Sequence, residues 1–492
     1  MRFRSTIILV VLLLGLGAYV YWIEYPKAQE EAKKKTLIDF KADDATEVTL
    51  AYPDREIALK KVGEEWRLTK PLDTLADTTT VKNLVNAIAE CEVKKELTET
   101  SGDLSQYGLD KPLVTVTVKV KDKALPAILV GKNTPVGAST YVERADDKKI
   151  VLTNSAFRAG MDKKVNDLRD KTILTYNDDD VQKIQISGAD KDIELVRQDG
   201  NWRVDKPESW PGDAVTIRSF LSTLRSMRAT DFPPDAATDL ATYGLDNPRL
   251  RVTVTIGKGG KDTTEKQVLI GKQGEKNELY VQVSGQPTVY TVSDWVYRDL
   301  DKPVGDFRDK TLLAFDRDKI SAVEVKHKAG GDFKLVRGED KQWHVDGNPG
   351  KPNEQALNQF LGDVHDLKGY EVVADHPADL AQFGLDQPSL ALTVIGDNQQ
   401  KLGTLLLAPR PNAEGKKEFT GMAEGAPTVF LVRDYLMTRL NKQAQDFIQQ
   451  PTPTVGAGTP ASPAAPAAQV QQPPEGDAVE DEPVGEGEPD QD

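Results

Sequence analysis

The heptapeptide QYGLDKP at 106–112 returns as TYGLDNP at 242–248 and as QFGLDQP at 382–388. No other feature constrains the fold as strongly, because a phrase repeated in register at a fixed long spacing implies one architecture built three times. Other landmarks fall into the same register. EEWRLTKP at 64–71 corresponds to GNWRVDKP at 200–207 and KQWHVDGN at 341–348, which aligns Trp66, Trp202 and Trp343. NDLRDKTIL at 166–174 corresponds to GDFRDKTLL at 305–313, and ILVGK at 128–132 to VLIGK at 268–272. The copies lie 136 to 141 residues apart. That is far beyond the ~20–50 residues of a solenoid unit and matches a domain. Repeats are expected at 36–171, 172–310 and 311–450.

Within each repeat the hydrophobic period switches in the same order. After the tryptophan strand, Val81, Leu84, Val85 and Ile88 follow Asp77; Ile217, Phe220, Leu221 and Leu224 follow Asp213; Leu357, Phe360, Leu361 and Val364 follow Asn353. The i, i+3, i+4, i+7 spacing is the apolar stripe of an amphipathic helix. Asp77, Asp213 and Asn353 are natural N-caps, since their short side chains accept from the first free backbone N–H groups.

The repeated phrase then converts helix into strand. Gly108, Gly244 and Gly384 tolerate positive φ and can reverse the chain. Tyr107, Tyr243 or Phe383 before them, and the leucine after, can pin the turn to the core. Asp110, Asp246 and Asp386 can accept from nearby backbone N–H groups as in an Asx-turn. Pro112, Pro248 and Pro388 push the preceding residue to extended backbone. Period-two runs follow: Val114, Val116, Val118, Val120; Leu250, Val252, Val254, Ile256; Leu390, Leu392, Val394. Each repeat reads β-β-β-α-turn-β-β-β-β-α. The fold class is α+β, mostly antiparallel sheet with two helices per repeat.

Outside the repeats, Ile7 to Ile23 carries no charge, behind Arg2 and Arg4, with Tyr19, Tyr21, Trp22 and Tyr25 at its far end. About 17 residues is the short end of a bilayer span, and aromatic rings favour the headgroup level. The apolar run continues through VYWI without a clean signal-peptidase site, so an uncleaved anchor is expected. Residues 1–6 form a cytoplasmic tail, 7–23 the transmembrane helix and 24–35 a juxtamembrane stalk, with the body in the periplasm. The segment 451–492 is Pro/Ala-rich and then acidic, and its composition predicts disorder. It carries nine acidic and no basic side chains, out of a net charge of −15. The rest of the chain is only mildly acidic, which disfavours a nucleic-acid partner.

Chemistry-bearing patterns are scarce. A single cysteine, Cys91, excludes an internal disulfide and sits on an apolar helical pattern, where a buried inert thiol is expected. His327, His344, His365 and His376 all fall in the third repeat, but none is spaced as a helical metal pair. VGK and IGK lack the earlier glycine of a phosphate loop, and GKGGKD at 257–262 lies between two strands. Asp178, Asp179 and Asp180 lack the glycine and glutamate of a calcium loop. No catalytic residue, cofactor or metal ligand is assigned.

The anchor, the tryptophan strand and the recurrent YGLD-x-P phrase together resemble a bacterial envelope family known as a domain of unknown function. The resemblance reaches to about Phe447. It implies one N-terminal membrane helix, tandem α+β repeats and a location at the inner membrane. Members are often encoded beside gliding-motility-type ABC transporter components, which implies a transport-associated role and ABC transporter subunits as partners. The family supplies no catalytic residues. Three functions compete: a non-enzymatic anchored scaffold or binding subunit, a cell-wall or polysaccharide-binding module, and an envelope hydrolase. A scaffold should bind through residues that differ between repeats, for example the hairpin tip around 257–264. A glycan binder should expose aromatic rings in each repeat.

Overall fold

The computed structural model describes residues 35–98, 102–233, 239–258, 261–275, 277–411 and 417–449. The expected membrane span and acidic tail lie outside the described residues. Among the described residues no helix is long and apolar enough to cross a membrane.

The alternating runs become antiparallel strands, because period two sends every second side chain to the same face. In the first repeat β1 (Ala45–Ala51), β2 (Glu56–Val62), β3 (Glu65–Lys70) and the short β4 (Thr74–Leu75) form a meander. Helix α1 (Thr78–Ala89) and the short β5 (Lys95–Glu96) follow. Then come β6 (Val114–Val120), β7 (Lys123–Ala124), β8 (Ile128–Asn133), β9 (Ser139–Arg144) and β10 (Ile150–Asn154), with α2 (Ser155–Met161) and α3 (Val165–Leu168) closing the repeat. The sheet order is β4-β3-β2-β1-β6-β8-β9-β10-β5, with β7 beside β6.

The second repeat has β11 (Val181–Gly188), β12 (Lys191–Gln198), β13 (Asn201–Lys206), β14 (Trp210–Pro211) and helix α4 (Ala214–Ser226). It continues with β15 (Leu250–Lys258), β16 (Lys261–Gln273), β17 (Glu278–Val283), β18 (Val289–Ser293) and α5 (Trp295–Leu300). The order β14-β13-β12-β11-β15-β16-β17-β18 matches the first sheet. The third repeat supplies β19 (Ile320–His327), β20 (Phe333–Arg337), β21 (Trp343–Val345), α6 (Glu354–His365), β22 (Glu371–Asp375), β23 (Leu390–Gly396), β24 (Lys401–Pro409), β25 (Phe419–Ala423), β26 (Thr428–Val432) and α7 (Asp434–Leu440).

The chain forms two compact units: one up to Leu312 with Lys368–Ala378 and Pro427–Val432, the other Leu313–Leu367, Asp379–Ala426 and from Arg433 onward. In the second unit β21, β20, β19, β23, β24 and β25 are neighbours in that order, while β22 pairs with β26 in the first.

The three repeats share the order of their central strands and the register of the central pair. The central pair places Val48 opposite Val118, Ile184 opposite Val254 and Val323 opposite Val394. Each of these pairs also slips at the start of its first strand: Ala45/Glu47, Val181/Lys183 and Ile320/Ala322. A bulge adds local twist at a defined place, so its recurrence marks one architecture. The long helix packs its stripe on the sheet: Val81, Leu84, Val85 and Ile88 are buried, as are Ile217, Phe220, Leu221 and Leu224, and Leu357, Phe360, Leu361 and Val364. Each such side chain contributes roughly 1.5–3 kcal/mol when fully removed from water.

Two expectations need correction. The first repeat has three helices, not two, because Val165–Leu168 forms an α-helical turn where the other repeats have the 3-10 turns Val304–Phe307 and Ala444–Phe447. The alternation in the strands after the phrase also weakens at its end: Val120 and Ile256 are only partly buried, packed at the margin of their core clusters.

Candidate functional site

The shared residues are occupied by three structural tasks. Asp77, Asp213 and Asn353 cap the long helices, accepting from Thr80 N at 2.8 Å, Thr216 N at 2.8 Å and Ala356 N at 3.2 Å. Their own N–H groups donate to Leu168 O, Phe307 O and Phe447 O, so the end of each repeat is stitched to the start of its helix. Gly108, Gly244 and Gly384 have φ of +65°, +64° and +72°, each ending a 3-10 turn. The leucine after each glycine is buried, and Tyr107 and Tyr243 stand edge-on to Tyr141 and Tyr280 at 5.1 and 4.8 Å. Phe383 is buried and its carbonyl accepts from the Thr420 hydroxyl at 2.7 Å. Pro112, Pro248 and Pro388 precede the strands β6, β15 and β23.

Asp110, Asp246 and Asp386 do not make the expected Asx-turn. They are exposed, and their side chains make no hydrogen bond among the described residues. The work falls to an aspartate seven residues earlier: Asp103 accepts from Ser105 N, Asp239 from Ala241 N and Asp379 from Ala381 N, at 3.0, 3.1 and 2.8 Å. The signal was present, because Asp-Leu precedes the phrase by the same interval in all three copies.

The third task is joining. Arg169 and Arg308, from the two RDKT segments, are buried. Arg169 stacks on Phe232 at 3.8 Å. Arg308 lies over Trp210 at 4.0 Å and forks onto Asp375 at 2.7 and 2.6 Å, with Thr428 Oγ1 at 3.1 Å. The Arg308 hydrogen bonds hold the Asp375 carboxyl below the usual carboxylate range, against the opposing effect of its partial burial. The corresponding position at the end of the third repeat is Ile448, which bridges to Pro352.

What varies is a cleft beside the repeat tryptophan, between the meander, the first turn of the repeat and the long helix. Trp66 and Trp202 are 2% and 9% exposed, whereas Trp343 is only half-buried. In the first repeat the cleft measures ≈ 40 Å³, beside Asp43, Lys61, Trp66 and Lys82. In the third it opens to ≈ 230 Å³ beside Arg317, Arg337, Lys341, Trp343 and Glu354. The pairing is homologous, since Lys61, Arg197 and Arg337 each sit opposite the tryptophan. Two changes distinguish the third copy. The loop from Arg337 to Trp343 is one residue longer than its counterparts. Arg317 also opens the 3-10 turn where the first repeat has Ala42 and the second Asp178. Asp178 pairs with Arg225 at 3.3 Å, while the Arg317 and Arg337 guanidinium groups donate to the carbonyls of Asn358 and Asp318 at 3.2 and 3.1 Å. Arginine bound only to neutral carbonyls retains its full charge for a ligand. Periodicity identified the tryptophans but gave no sign of this cleft.

The remaining candidates have structural places. Burial pushes the Cys91 thiol up to about 12, so it is no nucleophile at neutral pH. His327 is buried against Phe333, and His344 lies 3.4 Å from Asp340. Among the described residues no three His, Cys, Asp or Glu side chains group to hold a metal. The 257–264 hairpin joins β15 to β16, and its tip at 259–260 lies outside the described residues.

No curated protein matches the chain in sequence. Among solved structures, a DnaN sliding clamp (DNA polymerase III subunit beta) from Pseudomonas aeruginosa bound to griselimycin aligns at 6% identity over 81% of this chain and 92% of that chain. Its TM-score of 0.12 carries no structural inference. A domain of unknown function, DUF4340, matches three successive segments, 66–201, 202–359 and 351–451, in line with the threefold repeat. These matches run through almost all of the folded body, and the chain belongs to the DUF4340 family.

Proposed function

We propose that this chain is a non-enzymatic scaffold or binding subunit, anchored in the bacterial inner membrane with its repeats in the periplasm, working with an ABC-type transport system. One observation carries the binding role: a homologous cleft occurs on a shared frame in the first and third repeats, and its size and charged lining residues differ between them. Folding explains the shared residues, but it does not require the cleft lining to diverge. Several related sites on one chain raise the effective concentration of a partner without any new contact type. The anchor rests on the uncharged 7–23 span, and the transport link on the family resemblance.

The test is crosslinking in cells from a photoreactive residue placed at Gln342, with Arg317→Ala/Arg337→Ala as the comparison. Recovery of transporter subunits, reduced in the variant while circular dichroism is unchanged, supports the reading. Turnover of an envelope substrate by the purified chain, abolished by one carboxylate substitution, overturns it. Protease treatment of intact spheroplasts checks the orientation, because a body outside the cytoplasm must be digested.

A second reading, glycan binding, has its own support. Trp295 and Tyr435 occupy equivalent positions in the first turn of α5 and α7 and are 46% and 55% exposed. The first repeat has Ala156 there. Retention on peptidoglycan that is lost in Trp295→Ala/Tyr435→Ala would favour this second reading over the first.

A further inference from the structure

The reverse face of the YGLD corner in the first repeat forms a second cleft of ≈ 260 Å³, apart from the tryptophan cleft. Its walls are the β1–β2 turn at Tyr52–Arg55, the corner itself at Gly108–Leu113, the end of β8 at Gly131–Lys132, and helix α2 with the residue after it. Four cations line it, Arg55, Lys111, Lys132 and Arg158, against two carboxylates, Asp54 and Asp162.

The charges are unevenly satisfied. Arg55 takes both acids, reaching Asp54 at 3.0 Å and Asp162 at 3.6 Å. It is itself held in place, stacked on the Tyr52 ring at 3.9 Å and bonded to Lys163 O at 3.1 Å. Tyr52 is buried and fixed in turn, donating to Met161 O at 2.7 Å and accepting from Lys163 N at 2.9 Å. Lys111, Lys132 and Arg158 have no carboxylate within ion-pair distance among the described residues. Arg158 is oriented by its Nε–H, which donates to Gly131 O at 3.0 Å, and the Lys132 ammonium reaches only Ser105 O at 3.5 Å. The residues lining the cleft, four cations against two carboxylates, therefore carry a net formal charge of +2.

Comparison between repeats argues against a generic solvated face. Lys191 repeats the Arg55 pairing, bonded to Asp301 and to Lys302 O, so that part is framework. The additional cations are not uniform. Lys111 is replaced by Asn247 and Gln387, and the third repeat has Pro409 and Met437 in place of Lys132 and Arg158.

We propose that this cleft of the first repeat binds a phosphate group. A phosphate monoester carries about −1.5 to −2 charge and three acceptor oxygens, which matches two spare cationic side chains and a guanidinium better than a single carboxylate does. Two sources share that chemistry, a lipid whose headgroup is itself a phosphate monoester and a small free phosphate compound.

The experiment uses the full chain in a non-phosphate maltoside detergent, with 31P NMR line broadening as the readout. Inorganic phosphate is titrated first, then dihexanoyl phosphatidic acid below its micelle concentration, with dihexanoyl phosphatidylcholine as the phosphodiester control. Lys111→Gln/Lys132→Gln is the variant, since both side chains are exposed and bear no part of the core. Saturable broadening that weakens about tenfold in the variant, as expected for two lost solvent-exposed ion pairs, supports the site. Tighter binding of the phosphatidic acid identifies a lipid headgroup, and tighter binding of inorganic phosphate identifies a free compound. Non-saturable broadening, or equal binding by a variant whose circular dichroism is native, overturns the proposal.

Discussion

Replacing Gly271 by alanine should weaken the second repeat more than replacing Gly244, although only Gly244 has the left-handed φ. The reason is what surrounds each position. A Cβ at Gly271 would overlap Tyr243 O, with Gly244 C and O also at 3.2 Å. All three are backbone atoms and cannot swing aside as a side-chain tip can. The strand cannot yield easily either, because the adjacent Ile270 is registered to Leu250 on one side and Val281 on the other. Relief must come from displacing the corner, which strains the Leu245 N–H to Leu240 O bond of 3.0 Å and lifts Leu245 from its cluster with Leu269 and Val289. One net hydrogen bond is worth about 1 kcal/mol and a buried leucine about 1.5–3 kcal/mol. Gly271→Ala should therefore cost about 3 kcal/mol. Gly244→Ala incurs the left-handed penalty of about 1–2 kcal/mol, with Lys272 N at 3.0 Å from the new Cβ. The third repeat already has Ala408 at the position equivalent to Gly271, so Ala408→Gly should cost under about 1 kcal/mol, chiefly backbone entropy. Hydrogen exchange by mass spectrometry on peptides from 240 to 273 of the full chain reads the local effect without assuming that all repeats unfold together. Unchanged protection in Gly271→Ala, alongside lost protection in Gly244→Ala, would refute the close-approach argument.

Arg308→Met should destabilise the first unit by about 3 kcal/mol at neutral pH, since it leaves the partly buried Asp375 carboxylate without its partner. Asp375 titrates below its ordinary value when folded, so the stability it contributes is present above the unfolded pKa of about 4 and is lost as pH falls through the folded one. Thermal unfolding should show the gap between wild type and variant narrowing below about pH 4, and a gap independent of pH would rule out the ion pair as its cause. Asp239→Ala should speed amide exchange at Ala241 and the turn after it, while Asp246→Ala should leave the turn unchanged. The opposite pattern would restore the aspartate of the repeated phrase as the turn-forming residue.

Much of the architecture was legible in the sequence because it depends on local periodicity. The stripe Ile217, Phe220, Leu221, Leu224 needs only a helix and a wet side to declare itself, and Asp213 before it needs only free N–H groups to cap. The left-handed Gly244 follows from the need to turn between a helix and a strand within a few residues. Repetition then extended each local inference to three places. Contacts between distant segments were not legible. The aspartate that shapes the turn is Asp239 and not Asp246, because only the folded corner decides which carboxylate faces the free N–H of Ala241. Gly271 looked like one residue of a strand, and its need for glycine comes from Tyr243 O, 28 positions away in the chain. The same holds for Arg308, whose partners Trp210 and Asp375 lie far away on either side of it. The two clefts are the extreme case. Trp343 opens where Trp66 closes, and Lys111, Lys132 and Arg158 converge, through packing that no period in the sequence encodes.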